Sequence, residues 1–226
     1  YQKMRMRKKK WAEPYLCEHS DYAMDNPVSY KGSWKKILGC SVLHVEIGTG
    51  KGDYLNQMAA MYPEEGWIGI EKDRTAAAIA CRKAVEGLQM HKQKLIVNDA
   101  EHLLDWFDEN EIDMIHLNFS DPWPKKYTHK RRLSSEKFLS MYQNVLNKNG
   151  CIRMKTDNQD LFEDSVLYFQ QSGFMLDEIS VNYRRSPHPE DAITEYESRF
   201  MSLQQPIYRL QASLHNVCDS KINMIK

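Results

Sequence analysis

The amino-acid sequence predicts a doubly wound α/β fold with a mostly parallel sheet of seven strands. Three observations predict this fold. From Val42 onward, short apolar runs alternate with stretches whose apolar residues recur every three or four positions, the pattern of repeated β–α units. A glycine-rich turn at 48–52 follows the first run, and several later runs end in an acid. No linker or internal repeat interrupts the alternation, so we expect one domain over 41–226, preceded by a basic extension over 1–40.

Each predicted strand is a short apolar run bounded by turn residues or by an acid. The predicted strands are 42–47, 67–71, 95–99, 113–119 and 151–156, with two more between residues 173 and 209 around the loop 186–191. The stretches between the first five predict helices, because their apolar residues fall on one helical face. We expect the helix that contains Phe138–Leu146 to stop at Asn149–Gly150, since Gly commonly ends a helix.

The charges are unevenly distributed although the 226 residues carry no net charge. Six of the first ten residues are Lys or Arg, and a second basic block spans Lys125–Arg132. Seven acids and no Lys or Arg lie between Asp99 and Asp113. We therefore expect a basic face that attracts a polyanion. The first basic segment fits either an arm that touches phosphates or a tail without a role.

The cysteines and the apolar content place the chain among proteins of the cytoplasm. The five cysteines show no metal or redox spacing, and their odd number favours reduced thiols. They are Cys17, Cys40, Cys81, Cys151 and Cys218. No stretch approaches the roughly 20 apolar residues of a membrane span, and no apolar signal region follows the basic start. We expect no metal site and no membrane contact.

The glycine turn and the acids that follow the first three strands predict a cofactor site. Glu46 precedes Gly48–Gly52, whose spacing fits neither a dinucleotide fingerprint nor a Walker loop. This acid would repel a pyrophosphate and attract an ammonium group, which fits S-adenosylmethionine. Glu71 stands where a carboxylate accepts ribose hydroxyls, and Asp99 can accept from an adenine amine. Any one of these acids alone is more often a helix cap.

The stretch Asn118–Lys126 is the most distinctive part of the sequence. Asp121 follows a buried strand. Two prolines flank the nearby Trp123, and they end helix and strand hydrogen bonding there because proline has no backbone N–H to donate. An acid, a flat ring and the basic residues beyond suit a nucleotide base in a polynucleotide. Trp123 either stacks on that base or only wedges the loop. The alternative is a proline-rich turn followed by a solvated charge run.

These motifs make the chain resemble the bacterial tRNA (guanine-N7-)-methyltransferases over essentially its whole length. The resemblance lies in 46–52, 69–71, 118–126, 130–132, 155–158 and 194–197. It implies a Rossmann-like class I methyltransferase fold, S-adenosylmethionine as cofactor and methylation of N7 of a guanine in tRNA, the variable-loop guanine. The resemblance leaves a monomer or a homodimer open. Tyr127-Thr128 stand where relatives usually carry Arg-His, so no specific role passes to those two positions.

The resemblance also implies roles for individual residues. The cofactor would contact Glu46, Gly48, Glu71, Asp99 and Asp121, and Asp121 would also be catalytic. The substrate or the RNA would contact Lys125, Lys126, Lys130, Arg131, Arg132, Asp157, Thr194, Glu195, Tyr196 and Glu197. From the residues alone, the late acids fit equally a role as helix caps or as partners of Arg184, Arg185 and Arg199.

Guanine N7 carries a lone pair and no proton, so its methylation needs no general base. Asp121 would then either stabilise the positive charge that passes to the purine or accept hydrogen bonds from guanine N–H groups. Two other hypotheses stay in view. A methyltransferase for small molecules or proteins would not need the two basic blocks, and a non-catalytic RNA-binding module would not need the ordered acids.

Overall fold

The computed structural model describes residues 7–88 and 90–214. Its strands are β1 Ala23–Met24, β2 Leu43–Ile47, β3 Gly66–Ile70, β4 Gln93–Ile96, β5 Ile112–Asn118, β6 Leu146–Thr156, β7 Phe174–Ser180 and β8 Tyr208–Leu214. Its α-helices are α1 Ala12–Glu18, α2 Trp34–Leu38, α3 Asp53–Met61, α4 Arg74–Glu86, α5 Leu103–Trp106, α6 Glu136–Val145, α7 Gln159–Gln171 and α8 Glu195–Ser202.

Within the described residues the strands form one sheet in the order β1-β4-β3-β2-β5-β6-β8-β7. The strands from β1 to β6 run parallel, and β8 lies antiparallel between β6 and β7. The chain leaves β2 towards β3 on one side and reaches β5 on the other, so the strand order reverses between β2 and β5. Ligands of open α/β sheets bind at the carboxyl ends of the strands next to such a point.

The doubly wound, mostly parallel sheet confirms the predicted fold class, and the sheet has eight strands where seven were expected. The additional strand is β1, whose two residues pair with Leu95 and Ile96 at the edge of the sheet. A strand of two residues is too short to produce an alternating pattern, which is why the sequence did not reveal it.

Each face of the sheet carries its own hydrophobic cluster. Helices α2, α5, α6 and α7 contribute to one cluster, and α1, α3 and α4 contribute to the other. The segment before residue 40 takes part in both, because Trp34 is fully buried in the first and Leu16 is buried in the second. Residues 1–6, with two of the basic side chains, lie outside the described residues. The division of the chain at residue 40 stays a prediction.

Three boundaries differ from the predicted ones. Helix α6 ends at Val145 and β6 begins at the next residue, so the stop expected at Asn149–Gly150 is wrong. Gly150 is needed inside β6 instead, because a Cβ there would lie 3.0 Å from the carbonyl oxygens of Asn147 and Asp113. Helix α8 lies in the segment 173–209, where only two strands and the loop 186–191 were expected, and Thr194 caps it by accepting from the N–H of Glu197. Strand β4 ends at Ile96, three residues before Asp99.

Candidate active site

A cavity of about 200 Å³ lies at the carboxyl ends of β2, β3, β4 and β5. The residues that line it come from the ends of these strands and from the segments that follow them. They are Ile47, Gly48, Ile70, Glu71, Lys72, Asn98, Asp99, Ala100, Phe119, Ser120, Asp121, Trp123, Arg131 and Leu133. The structure therefore brings Gly48, Glu71, Asp99 and Asp121 to one cavity, as expected, and adds Arg131 to it.

Glu71 organises the glycine turn on one side of the cavity. Its Oε2 accepts from the N–H of Gly50 at 2.8 Å, and its Oε1 accepts from the N–H of Asp73 at 2.7 Å. Burial raises the pKa of this carboxyl, while the two backbone donors oppose that rise. Gly48 has φ = +80°, a conformation that other residues rarely adopt. The turn thus keeps its backbone close to the cavity while Glu71 retains lone pairs for further donors.

Glu46 precedes the lining residue Ile47 in β2 and does not itself line the cavity. It is 2% exposed. Its Oε1 accepts from Nδ2 of Asn118 at 3.0 Å, and its Oε2 accepts from the hydroxyl of Thr49 at 3.1 Å. Burial raises the pKa of Glu46 to about 7. Glu46 therefore joins the ends of β2 and β5 at the reversal of strand order, and Asn118 is a site residue to which sequence reasoning gave no role.

Asp99 combines the two interpretations that the sequence left open. Its Oδ1 accepts from the N–H of Glu101 at 3.2 Å, so it caps the short 3₁₀ turn Ala100–His102. Its Oδ2 lies 3.2 Å from Nζ of Lys72, and both residues line the cavity. A carboxylate acceptor and a cation beside it are therefore both present in the cavity wall.

Asp121 is exposed and stands between two residues with unusual backbone angles. Phe119 has φ = +50° and Trp123 has φ = +41°. The left-handed region costs a bulky residue about 1–3 kcal/mol, and such residues concentrate at functional sites. Arg132 holds this loop from below, since its Nε donates to the carbonyl of Pro122 at 2.7 Å. The loop therefore presents Asp121 at the rim of the cavity on a constrained backbone.

Arg132 corrects one expected role. Its side chain is 2% exposed and forms an ion pair with Asp164 at 2.6 Å. A guanidinium that is buried and bound to protein groups is not available to a phosphate. Lys125, Lys126, Lys130 and Arg131 are exposed, and the last three lie on the 3₁₀ turn Lys126–Arg131. Arg131 also lies over the ring of Trp123, 5.1 Å from its centroid.

Four charged side chains form a buried ion cluster beside the site: Lys155, Arg184, Asp191 and Glu197. Nζ of Lys155 lies 2.7 Å from Asp191 and 3.2 Å from Glu197. Arg184 lies 2.5 Å from Asp191 and 2.6 Å from Glu197. Tyr54 also donates to Asp191 at 2.9 Å. Burial by itself would raise the pKa of Asp191, but Lys155 and Arg184 outweigh that effect and lower it.

The ion cluster changes the expected role of the late segment. Glu197 is fully buried and paired with Lys155 and Arg184, so it does not face a substrate. Thr194 is also buried, and its hydroxyl caps α8. The alternative that late acids pair with Arg184 is thus correct for Glu197. Tyr196 is 40% exposed, and Asp157 is half-buried after the end of β6.

Sequence reasoning missed Lys155, Arg184 and Asp191 as a group. One signal was available, since Lys155 stands at the end of a strand with Ile152 and Met154, both buried. A lysine at such a position needs a counter-charge. Its two acidic partners are 36 and 42 residues away in the sequence, so spacing alone could not identify them.

Within 7–88 and 90–214, no group of three or more His, Cys, Asp or Glu residues could hold a metal ion. None of the helices in the same residues is long and apolar enough to cross a bilayer. The cysteines of the described part, Cys17, Cys40, Cys81 and Cys151, are free, and Cys218 lies outside it.

Comparisons with known proteins identify methyltransferases as relatives of this chain. A family model described as "Putative methyltransferase" matches residues 40–210. The chain is 42% identical over 209 residues to the tRNA (guanine-N(7)-)-methyltransferase of Bacillus subtilis strain 168, and the match covers 92% of this chain and 98% of the relative. It is 41% identical over 212 residues to the tRNA (guanine-N(7)-)-methyltransferase of Limosilactobacillus reuteri strain DSM 20016, with coverage of 93% and 99%.

Two solved structures have the same fold at low sequence identity. A SAM dependent methyltransferase from Aquifex aeolicus matches with a TM-score of 0.56 at 13% identity, over 90% of this chain and 98% of that chain. The 16S rRNA methyltransferase KamB matches with a TM-score of 0.59 at 13% identity, over 79% and 91%. This likeness places the sheet and its helices among methyltransferase folds.

Proposed function

Because this chain belongs to the family of the tRNA (guanine-N(7)-)-methyltransferases, we propose that it methylates N7 of a guanine in tRNA. The products are 7-methylguanosine and S-adenosylhomocysteine. The cavity lined by Gly48, Glu71, Asp99 and Asp121 carries the proposal, since it opens next to the exposed basic residues of 125–131. We expect the guanine to be that of the variable loop, as the family resemblance implies.

The residues of the cavity fit S-adenosylmethionine. Glu71 and Asp99 offer carboxylate acceptors for ribose hydroxyls and for an adenine amine, and the glycine turn allows close approach of a backbone. Above its pKa of about 7, Glu46 adds negative charge two residues before Gly48, on the side where the amino group of the methionine part would lie. These acids also disfavour a cofactor that carries a pyrophosphate.

S-adenosylmethionine, when bound, supplies a methyl group that passes to the N7 lone pair as the carbon–sulfur bond breaks and the sulfur keeps the bonding electrons. No proton leaves N7, so the site needs no general base. The task of the protein is to hold the reacting atoms in line and to stabilise the charge that develops on the purine.

Asp121 suits the second task best. It lines the cavity, it is exposed towards the side from which the RNA would approach, and two residues of restricted backbone hold it. A carboxylate at this place stabilises the cationic purine and can also accept from the guanine N–H groups. We assign Asp121 as the catalytic residue, with Glu71 and Asp99 as cofactor contacts.

The exposed basic side chains around the cavity form the proposed RNA-binding face. Lys125, Lys126, Lys130 and Arg131 would neutralise phosphates on either side of the target nucleotide. Asp157 would contact the substrate from the end of β6. In this proposal the protein acts on tRNA in the cytoplasm and uses no metal ion. It works as a monomer or as a homodimer.

The proposal is tested by transfer of tritium from methyl-labelled S-adenosylmethionine. We expect label in bulk tRNA, released as 7-methylguanosine after nuclease digestion, and none in free guanosine. The same preparation with protein in place of RNA should stay unlabelled. Label in free nucleosides or proteins but not in tRNA would overturn the proposal in favour of a small-molecule or protein methyltransferase. Binding of tRNA without transfer would indicate a non-catalytic module.

A further inference from the structure

Three aromatic rings meet beside Asp121, on the side of the cavity that faces α8. We call Phe119, Tyr196 and Phe200 the aromatic cluster. The ring centroid of Phe119 lies 5.1 Å from that of Tyr196 at an interplanar angle of 61°, and 6.4 Å from that of Phe200 at 10°. The rings of Tyr196 and Phe200 are 4.7 Å apart. Phe119 lines the cavity, and Tyr196 is 40% exposed.

The backbone of Phe119 is constrained. Strand β5 ends at Asn118, and Phe119 turns into the left-handed region with φ = +50°. The N–H of Phe119 donates to the carbonyl of Lys155 at 2.8 Å, which holds the turn against the end of β6. This conformation is unfavourable for a phenylalanine, and residues held in it concentrate at functional sites.

Lys155 also holds the helix that carries the other two rings of the aromatic cluster, those of Tyr196 and Phe200. Glu197, next to Tyr196 in α8, is paired with Nζ of Lys155. The backbone of Lys155 therefore positions Phe119 while its side chain positions α8. Burying four charges to hold a helix of eight residues is costly unless every partner is in place. The arrangement fixes the relative placement of the rings more tightly than packing of exposed apolar residues would.

We propose that the aromatic cluster is the surface on which the target guanine stacks, an inference that rests on the proposed function. A base that leaves the RNA stack needs a flat apolar partner, and aromatic side chains are the usual ones. A base placed on these rings lies next to Asp121 and to the cavity that would hold the methyl group. Methylation makes the purine cationic, and a ring face attracts a cation, so the cluster stabilises the product charge as well.

The competing stacking partner is Trp123, on the opposite side of Asp121 in the loop. It also lines the cavity, and Arg131 already lies over its ring. The two candidates are separated by replacing one ring at a time. Tyr196→Leu and Phe119→Leu test the aromatic cluster, Trp123→Leu tests the alternative, and Tyr196→Phe keeps the ring while removing only the hydroxyl.

The experiment uses tRNA with 2-aminopurine in place of the target guanine, in the presence of S-adenosylhomocysteine. A stacked 2-aminopurine is quenched, whereas an extruded and unstacked one is bright. We expect quenching with the wild type, Tyr196→Phe and Trp123→Leu, and bright fluorescence with Tyr196→Leu and Phe119→Leu. With normal tRNA, the two cluster variants should lower kcat/KM about 5- to 150-fold, the range expected when a base–aromatic stack is removed. The affinity of Tyr196→Leu for S-adenosylhomocysteine should change less than about twofold, because Tyr196 is not among the residues that line the cavity.

Several results overturn the inference. Wild-type quenching and kcat/KM in Tyr196→Leu, which changes an exposed ring and so leaves the core intact, would mean that the rings only anchor α8. Loss of quenching in Trp123→Leu alone would place the base on that ring. If the wild type transfers no methyl group to tRNA at all, the proposed function fails instead, so the two failures are distinguishable.

Discussion

Two groups of acids stand within the same site and have opposite surroundings. The cavity acids are Glu71, Asp99 and Asp121, which line the cavity after β3, β4 and β5. The paired acids are Asp191 and Glu197, which are buried against Lys155 and Arg184. Each carboxylate of the second group pairs with both of these cations, whereas Glu71 is held by two backbone N–H groups.

This difference decides what each acid can do. A paired acid cannot turn to a ligand without leaving a buried cation unmatched, so its contribution is to stability and to the placement of α8. An acid held by backbone donors keeps free lone pairs and can accept from a ligand at little cost. A motif identifies the residue type but not its partners, and the partners determine the role.

The largest effect should come from removing a paired acid. Glu197→Ala leaves two buried cations without one of their partners, and we expect the free energy of unfolding to fall by about 3–5 kcal/mol. Urea unfolding measures it, with Glu86→Ala as control, because Glu86 is exposed and its pair with Arg82 is long at 3.9 Å. A decrease below about 1 kcal/mol for Glu197→Ala, the value typical of an exposed pair, would remove the distinction between the two groups.

A cavity acid should show the reverse behaviour. Asp121→Asn keeps the shape of the side chain but removes its charge, and we expect kcat to fall about 10²- to 10³-fold, the usual effect of removing one electrostatic interaction with a transition state. The urea midpoint should stay the same because the residue is exposed. Wild-type turnover by a stably folded variant would exclude a catalytic role for Asp121.

Glu46 allows the effect of burial on stability to be measured apart from the effect of ion pairing. It is buried like Glu197, but its hydrogen-bond partners are neutral groups. Its folded-state pKa of about 7 lies above the ordinary 4.5. The folded state thus holds the extra proton between these values, and stability falls as pH rises from 4.5 to 7. We expect Glu46→Gln to exceed the wild type in stability at about pH 8 by on the order of 3 kcal/mol, from 7 − 4.5 = 2.5 pKa units.

Chemical unfolding at about pH 4.5 and about pH 8 measures this difference, which should nearly disappear at the lower pH. At about pH 8, where the wild-type carboxyl is ionised, the same variant should bind S-adenosylmethionine more weakly, since the negative charge near Gly48 is gone. If the stability of the wild type is constant across that window, Glu46 ionises as an ordinary carboxyl and burial is not its controlling feature.

Glu71 tests whether a cavity acid is available to a ligand. Glu71→Ala should weaken binding of S-adenosylmethionine more than about tenfold, because hydrogen bonds to a charged group contribute on the order of 1.5–3 kcal/mol. Titration calorimetry gives the affinity directly. Unchanged affinity would mean that the carboxylate serves only the N–H groups of Gly50 and Asp73.

The smallest effects are expected for the basic residues, which also divide into exposed and buried ones. Lys126 and Lys130 are exposed, whereas Arg132 is buried. Neutralising the two lysines should lower the slope of log affinity for tRNA against log salt by roughly 0.7–0.9 for each phosphate that the protein no longer neutralises. Arg132→Gln should instead lower the melting temperature. A salt slope that does not change in the lysine variant would place the RNA elsewhere.

Neutralising Lys8, Lys9 and Lys10 should have less effect, because ordering an arm on RNA opposes part of the gain.

The sequence predicted those parts of the structure that depend on apolar periodicity. Strands β2 to β6 and the helices α3, α4, α6 and α7 bury apolar faces, so their patterns are visible in the residues. The glycine turn and the acid that follows β3 are local features and were located correctly. The cavity that they form follows from the parallel order of β2 to β5.

The remaining parts depend on contacts that periodicity does not encode. Helix α8 is held by the ion pairs of Glu197 and by the cap at Thr194, and its apolar stripe is short, with Tyr196 and Phe200 as its aromatic members, so its pattern did not stand out. Arg132 ends a run of exposed basic residues, and only the fold shows that its side chain points inward to Pro122 and Asp164. The left-handed turn at Phe119 occurs at a residue that does not favour it.

The position of β8 in the sheet has a consequence for how the molecule is made. Strand β6 has β5 on one side and β8 on the other, and β8 comes more than fifty residues later in the chain. During synthesis, β6 therefore emerges with one long edge unpaired, and this edge can pair with other chains until residues 208–214 arrive. Lys155 belongs to that edge and meets its acidic partners in the same interval. Within the described residues β8 is the strand made last, so its pairing with β6 ends the exposure of this edge of the sheet.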